Sequence, residues 1–200
     1  MNPLAILVVP LGYLLGSFPS GYLAGRWGSR VDIRQLGSGS TGATNVLRQV
    51  GKGPALVVFL VDVFKGSAAV IVARGLLGAG AYGWLMAAGL AALAGHIWPI
   101  WLGGKGGKAV ATGFGMLLGL VPAVGLACLG VFLTSLALSR IVSISSVLAA
   151  ASLPLLMAGA GAPGAYLGLG VVAAVMVIWR HRSNLARLLK GEEPRLGQKD

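Results

Sequence analysis

The stretch PALVVFLVDVFKGSAAVIVARGLLG, residues 54–78, is apolar along its length and carries charge only at Asp62, Lys65 and Arg74. A helix that crosses a bilayer needs about 20 predominantly apolar residues, so this stretch predicts a membrane-spanning helix. The whole chain agrees: of its 200 residues 56% are hydrophobic, its mean hydropathy is +0.84, and only 10% are charged. Soluble domains contain about 25% charged residues, so a soluble globular domain is excluded.

Comparable apolar runs occur on both sides of this stretch. The short connections leave no room for a separate soluble domain, so we predict a single domain over residues 1–200. Its architecture is an all-α integral membrane bundle of about seven transmembrane helices. The run at 109–121 is short and ends at Pro122, which predicts a broken or partial helix supported by its neighbours. The predicted spans are 3–25, 54–78, 81–101, 109–121, 123–139, 143–158 and 163–179.

Basic residues predict the orientation. Fourteen of the sixteen Lys and Arg residues fall in connections or a tail expected on one side, while Lys65 lies within a span and Arg74 lies opposite. The positive-inside rule therefore places the N-terminus outside and the C-terminus in the cytoplasm. Topology and anionic lipid headgroups account for the net charge of +11, so we expect membrane lipid, and no nucleic acid, as a partner.

The first cytoplasmic break reads GSGSTGATNVLRQVGK over residues 37–52. Its glycines permit tight turns that aim backbone N–H groups inward. Ser38 and Asn45 supply side-chain donors, and Arg48 supplies a planar cation suited to phosphate. A flexible surface loop followed by a helix cap explains the same composition.

The second break reads GHIWPIWLGGKGGKAVAT over residues 95–112. A glycine turn with lysines at a helix N-terminus is a natural anion site, because bare N–H groups and the helix dipole favour phosphate. A membrane hairpin held inside by its lysines is the alternative. Two lysine–glycine steps exceed what orientation needs, so we favour phosphate binding. The candidate residues are His96, Lys105, Gly106, Gly107 and Lys108.

The third break reads WRHRSNLARLLKGEE over residues 179–193. If it is helical, His181 and Asn184 share one face. A basic amphipathic tail on the membrane surface explains the arginines but leaves these two residues without a reason. Ser143, beside Arg140, forms a further polar break that we expect to line the same cytoplasmic cavity.

Acidic residues are few. Asp62 and Lys65 lie at pairing distance within a span, and either a functional role or a structural ion pair is consistent with that position. No two of the five acidic residues have the spacing of a divalent-metal cluster, so we expect no metal site, no cofactor and no metal-assisted phosphoryl transfer. The His–Asp pair of the common CoA-dependent acyltransferases is also missing, because Trp101 and Ala186 occupy the fifth positions.

The three motifs, in this order and on one predicted side, resemble the bacterial membrane glycerol-3-phosphate acyltransferases that use acyl phosphate as donor. DVFKG at 62–66 and SRIVSISS at 139–146 extend the resemblance over most of the chain. Ser40 replaces a usual asparagine and Gly104 a usual phenylalanine. Ala109 replaces the last glycine of the second motif, which argues against a positive φ at that position.

The resemblance implies transfer of a fatty acyl group to the 1-hydroxyl of glycerol 3-phosphate, giving lysophosphatidic acid and phosphate. It implies that Ser38 and Arg48 are essential and that residues 105–108 hold the phosphate of glycerol 3-phosphate. It also implies that His181 and Asn184 are active-site groups, with Glu193 as a structural support. We expect a monomer in the bacterial inner membrane with its active site facing the cytoplasm.

The residues fit this chemistry. Two phosphate-bearing substrates favour a site with many cations and few carboxylates, and an acyl chain needs an apolar groove. Because an acyl phosphate is already activated, positioning and oxyanion stabilisation suffice, with Ser38 and Asn45 as candidate donors. The proton acceptor is left open between His181, His96 and a substrate phosphate.

Two other classes of protein share some of these features. A small transporter or channel for phosphate-bearing anions would use the same glycine-broken helices and basic residues, but it should place polar groups on both sides of the membrane. A structural membrane subunit leaves the phosphate-loop residues unexplained. The one-sided distribution of polar residues favours the enzyme.

Overall fold

The computed structural model describes residues 4–197, and every regular element in that range is helical. The chain divides into two compact units that meet in sequence between Leu120 and Val121. The single domain over 1–200 stays a prediction. The first unit contains α1 (Leu4–Gly16), α2 (Ser20–Gly28), α3 (Ala43–Gln49), α4 (Lys52–Leu77), α5 (Tyr82–Ile97) and α6 (Val110–Leu120), with 3₁₀ turns at Ile33–Gln35 and Ile100–Leu102. The second contains α7 (Pro122–Ser139), α8 (Val142–Gly159), α9 (Gly164–Arg180) and α10 (Arg182–Leu189).

Several of these helices are long and apolar enough to span a bilayer. The pair α9–α10, bent by 51°, adds one more span if it is counted as a single segment. The predicted all-helical, multi-span membrane protein is thereby confirmed, whereas seven helices and the directions of the termini stay predictions. The five segments that qualify among residues 4–197 are Leu4–Gly28, Lys52–Leu77, Tyr82–Leu102, Pro122–Ser139 and Val142–Gly159.

The first predicted span, 3–25, is not one continuous helix. It ends as α1 at Gly16 and resumes as α2 at Ser20. Pro19, which lacks a backbone N–H, lies in this break as the residue before α2. Helix α1 packs tightly on α5, because Cβ atoms at Gly12 and Gly16 would overlap the carbonyl oxygens of Ala88 and Ala92. The α1–α2 break therefore lies beside the C-terminal half of α5.

Helix α6 is short. Its 11 residues are about 16 Å long, roughly half the thickness of a bilayer's hydrocarbon core. It begins beside Gly66, whose Cβ position would overlap the Thr112 carbonyl, and Gly66 lies about 21 Å along α4 from Lys52. Arg74 donates to the Gly119 carbonyl at 2.5 Å, which satisfies an acceptor at the end of α6. The 103–109 loop therefore enters α6 about halfway along α4.

The second unit folds its C-terminal tail back onto α8. After α7, Arg140 adopts a left-handed φ of +60°, which starts the turn into α8. The Leu196 N–H donates to the Arg140 carbonyl at 2.7 Å. The residues after α10 thus pack against the start of α8 instead of forming a free amphipathic tail.

Candidate active-site residues

Asn45 organises the first motif from inside. Its side chain is 3% exposed, and its Nδ2 donates to the carbonyls of Ile33, Leu36 and Ser40 at 3.1, 3.0 and 2.9 Å. Its Oδ1 accepts the Ser38 N–H at 3.1 Å. These bonds occupy the amide donors expected for an oxyanion, so the geometry favours a role for Asn45 in shaping the loop.

The loop that surrounds Asn45 exposes the other two first-motif candidates. Gly37 and Gly39 have left-handed φ values of +55° and +67°, which glycine adopts without strain. Ser38, between them, is exposed, and its backbone N–H rather than its hydroxyl is bonded to Asn45. Arg48 is exposed on α3. Ser38 thus carries a hydroxyl that the described loop does not use for its own folding.

An ion pair between Asp32 and Arg34 stabilises the 3₁₀ turn that precedes this loop. Asp32 caps the 3₁₀ turn by accepting from the Arg34 N–H at 3.0 Å, and its carboxylate pairs with the Arg34 guanidinium at 2.6 Å. The side-chain hydrogen bond from Arg34 lowers the pKa of Asp32 to about 2. The turn thereby presents the Ile33 carbonyl to Asn45.

A buried ionic cluster occupies the α1–α2 break. Asp62 Oδ1 accepts from Ser20 Oγ and pairs with Lys65 Nζ, both at 2.7 Å, and Lys65 also donates to the Phe18 carbonyl at 3.2 Å. The carboxylate thus faces the N-terminus of α2, and the ammonium faces a carbonyl at the end of α1, as the helix dipoles favour. The Asp62–Lys65 pairing predicted from spacing is present.

His96 joins this cluster to the second motif. It is 5% exposed, and its Nδ1 lies 3.6 Å from Asp62 Oδ1. Its carbonyl accepts the Gly107 N–H at 3.0 Å, and a Cβ placed on Gly107 would overlap His96 Nε2. His96 therefore contacts Asp62 on one side and the glycine–lysine loop on the other.

The backbone of the glycine–lysine loop differs from the prediction. We expected bare N–H groups, yet all five from residues 103–107 donate to carbonyls of residues 96–102, at 3.0–3.4 Å. These five N–H groups are used because the loop folds back on the end of α5 and the 3₁₀ turn after it, and an anion site at the first turn of α6 itself stays a prediction. Lys105 is exposed and Lys108 half-buried, so the loop presents its cations as side chains. Substrate binding by Lys105, Gly106, Gly107 and Lys108 stays a prediction.

Ala109 contradicts a second expectation. Its replacement of a family glycine argued against a positive φ, but the residue has φ +60° and is 1% exposed. A left-handed backbone costs an L-residue roughly 1–2 kcal/mol. Burial of the methyl group and the start of α6 at Val110 hold the residue in this conformation.

In the second unit, Glu193 accepts hydrogen bonds from two of the residues that the sequence predicts to be functional. Its Oε1 accepts from Ser143 Oγ at 2.8 Å and from Asn184 Nδ2 at 2.6 Å, while Oε2 accepts from Arg187 Nε at 2.9 Å. Burial raises the pKa of Glu193, but these hydrogen bonds and the Arg187 charge outweigh burial and hold the pKa below its usual value. Ser143 and Asn184 are thereby brought together on one carboxylate.

His181 ends α9 immediately before α10 and is 3% exposed. Its Nδ1 lies 2.8 Å from the Val177 carbonyl. Because a carbonyl only accepts, Nδ1 carries the proton of this bond, and in the neutral imidazole Nε2 is the nitrogen with the lone pair. This tautomer makes Nε2 a hydrogen-bond acceptor.

Two features of the first unit escaped the sequence interpretation. Ser20 donates its hydroxyl to Asp62, and the signal beside it was Pro19, which does not by itself mark a helix break. Asp62 lies near His96 although 34 positions separate them, and no pattern in the sequence pairs these two spans. Within residues 4–197, no group of three or more His, Cys, Asp and Glu residues forms a possible metal site.

Most of the chain is similar to known proteins. The family model described as "Glycerol-3-phosphate acyltransferase" matches residues 6–191. A glycerol-3-phosphate acyltransferase of Synechococcus sp. (strain CC9902) is 64% identical over 98% of this chain and 96% of its own. The glycerol-3-phosphate acyltransferase of Prochlorococcus marinus (strain MIT 9313) is 66% identical, and the match covers 96% of this chain and 95% of its own.

Two crystal structures of the integral membrane glycerol 3-phosphate acyltransferase PlsY are also similar. The glycerol 3-phosphate form superposes with a TM-score of 0.91 at 38% identity, covering 96% of both chains. The lysophosphatidic acid form has a TM-score of 0.89 at 38% identity, covering 96% of this chain and 95% of the other.

Proposed function

The chain belongs to the glycerol-3-phosphate acyltransferase family, and on that premise we propose that it acylates glycerol 3-phosphate with an acyl phosphate as donor. The enzyme is a multi-pass bacterial membrane acyltransferase of lipid biosynthesis. Family membership decides against the transporter and the structural subunit. We propose further that it acts as a monomer at the cytoplasmic side of the inner membrane.

The similarity to PlsY carries this proposal. PlsY is known in a glycerol 3-phosphate form and in a lysophosphatidic acid form. The second compound is the first with a fatty acyl ester added, so the pair corresponds to the acceptor and product of one acyl transfer. Acylation of the 1-hydroxyl, with release of inorganic phosphate, is the reaction that we propose for this chain.

The described residues support a donor that is already activated. In the proposed step, the 1-hydroxyl oxygen bonds to the acyl carbon, the bond from that carbon to the phosphate oxygen breaks, and the hydroxyl proton leaves with inorganic phosphate. Such a step needs positioning and charge stabilisation rather than a covalent enzyme intermediate. The exposed side chains of Arg48 and Lys105 and the half-buried Lys108 supply cations suited to phosphate groups.

We assign different proposed roles to the polar residues of each unit. Ser38 donates its exposed hydroxyl to the developing oxyanion, while Asn45 maintains the shape of its loop. His181 Nε2 accepts the hydrogen bond of the attacking hydroxyl, which its tautomer permits. Ser143 and Asn184, which donate to Glu193, are the residues that we propose for binding the polar part of a substrate.

A donor comparison tests this function. Purified protein in detergent is given glycerol 3-phosphate with either palmitoyl phosphate or palmitoyl-CoA, and phosphate and lysophosphatidic acid are both quantified. The proposal expects lysophosphatidic acid from palmitoyl phosphate alone. Equal or greater turnover with palmitoyl-CoA would contradict the assigned donor.

A further inference from the structure

The buried cluster at the α1–α2 break holds Asp62 firmly. Its Oδ1 receives a hydroxyl from Ser20 and the ammonium of Lys65, each at 2.7 Å. Asp62 is 1% exposed and Lys65 is 4% exposed. Two donors at this distance, in a buried site, restrict the rotation of the carboxylate. Loss of either hydrogen bond would leave a buried polar group without an equivalent partner.

The same oxygen also faces His96. Asp62 Oδ1 lies 3.6 Å from His96 Nδ1, so the carboxylate favours an imidazole that turns Nδ1 toward it. The opposite edge of the ring then lies against Gly107, where Nε2 fills the space that a Cβ would need. Asp62 thus sets the orientation of the buried His96 ring, and the opposite edge of that ring limits the position of the loop at Gly107.

The contacted loop is the one that carries Lys105 and Lys108. Gly107 is adjacent to Lys108, and its N–H is donated to the His96 carbonyl at 3.0 Å. Ring and carbonyl of His96 therefore hold this turn together. The other N–H groups of residues 103–106 bond to backbone carbonyls of residues 97–102, so a rotation of the ring would remove the one side-chain contact at Gly107 and shift the lysine beside it.

We propose that Asp62 is a positioning residue for acyl transfer: it orients the His96 imidazole against Gly107 and so fixes the loop that presents Lys105 and Lys108. This inference rests on the proposed function, in which those lysines bind phosphate. An ion pair with a purely structural role would need only Lys65 and Ser20. The approach of His96 to the same oxygen is what links the pair to the loop.

A double-mutant cycle tests whether Asp62 acts through His96. Asp62→Asn keeps the size and one oxygen acceptor but removes the charge, and His96→Asn removes the ring while keeping the backbone carbonyl. Each single variant is expected to lose on the order of 10²-fold in kcat/KM, mostly through KM for glycerol 3-phosphate, because a misplacement of about 1 Å has effects of this size. The double variant should be no worse than His96→Asn alone, since both changes remove one interaction.

Two further variants distinguish a loss of activity through the His96 contact from a loss of folded protein. Ser20→Ala removes one bond to Asp62 without leaving Lys65 unpaired, and it should lower kcat/KM several-fold in the wild-type background but not in His96→Asn. Ser67→Ala is the control on the same helix, because its hydroxyl donates to Val63 within α4 at 3.0 Å, and it should leave kcat/KM unchanged. Additive losses across the cycle would overturn the proposal.

A spectroscopic measurement tests the contact without turnover. The chain has only two histidines, so ¹⁵N-histidine labelling gives two ring systems, which His96→Asn assigns. Asp62→Asn should shift the His96 ring nitrogens and leave those of His181 in place, and unshifted His96 signals would refute the contact. If the wild-type protein does not use acyl phosphate, the proposed function fails; if it does and the cycle is additive, only this inference fails.

Discussion

His96 and Gly107 support each other through both backbone and side chain. The His96 carbonyl accepts the Gly107 N–H at 3.0 Å, and the His96 Nε2 atom occupies the volume that a side chain at Gly107 would enter. The glycine is therefore required by a close approach rather than by a bare N–H group. The second motif consequently acts as a folded turn that carries lysines.

Gly107→Ala should disturb this turn. The added methyl group would overlap the buried ring of His96, so either the ring or the loop must shift. We expect KM for glycerol 3-phosphate to rise at least tenfold while kcat falls less, with a total effect on the order of 10²-fold. Steady-state kinetics with varied glycerol 3-phosphate measures both constants, and an unchanged KM would remove this turn from substrate binding.

Ser38→Ala should remove most of the turnover and leave the fold intact. The loop uses the Ser38 N–H, which alanine retains, so the change removes only the hydroxyl proposed for the oxyanion. Loss of one such donor costs about 10²–10³-fold in kcat. Ser40→Ala is the matched control, because its Oγ makes only a long 3.3 Å contact with the Gly42 N–H. Full activity of the Ser38 variant would exclude that role.

Substitutions at His181 separate its two ring nitrogens. Asparagine reproduces the Nδ1 bond to Val177 but has nothing at the Nε2 position, whereas the longer glutamine can place an amide oxygen there. We expect His181→Asn to lower kcat by on the order of 10²–10⁴-fold and His181→Gln to retain more activity. The reverse order would show that Nδ1, not Nε2, is the functional nitrogen.

The tail held by Glu193 should detach in acid. Because the folded-state pKa is lowered, its stabilising contribution is complete above the ordinary glutamate pKa of about 4.3 and is lost as pH falls through the folded value. Proteolysis of the tail should therefore accelerate below about pH 4. Glu193→Gln should be cleaved faster at neutral pH, because it loses the charge facing Arg187, and its cleavage should depend less on acid pH. Identical pH profiles for the two proteins would contradict this account.

Ala109→Gly should stabilise the protein. The φ of +60° destabilises the folded protein by roughly 1–2 kcal/mol when the residue is alanine. Glycine removes this strain, and its greater freedom stabilises the unfolded chain by a smaller amount, roughly 0.4–1 kcal/mol. We expect Tm in detergent to rise by about 2 °C. Ala111→Gly, within α6, is the control and should lower Tm. A lower Tm for Ala109→Gly would show that the buried methyl group outweighs the strain.

The sequence predicted the helical segments well because lipid requires long apolar runs. Internal breaks were harder. Pro10 and Pro154 lie inside continuous helices, whereas Pro19 follows a break. A proline alone therefore did not distinguish the two cases. Tertiary contacts distinguish them: before Pro19, Lys65 of α4 donates to the Phe18 carbonyl, a backbone group that the break leaves without a helical partner.

The site was predictable in its residue types but less so in its contacts. Composition and spacing indicated cations and hydrogen-bonding loops, and the resemblance indicated Glu193 as a support. Spacing does not reveal whether loop N–H groups point at a ligand or at the preceding helix, so the bonding of 103–107 was missed. Residue identity misled at Ala109, because packing can hold an alanine in a backbone that glycine prefers.

The central claim is that the 1-hydroxyl oxygen of glycerol 3-phosphate bonds to the acyl carbon, with an acyl phosphate as the donor. The most direct measurement supplies the purified protein with palmitoyl phosphate and glycerol 3-phosphate carrying ¹⁸O in that hydroxyl, and follows the label by mass spectrometry. The account predicts 1-acyl lysophosphatidic acid with ¹⁸O in its ester, formed in equal amount with unlabelled inorganic phosphate. Label in the released phosphate, or phosphate release without the acylated product, would contradict it.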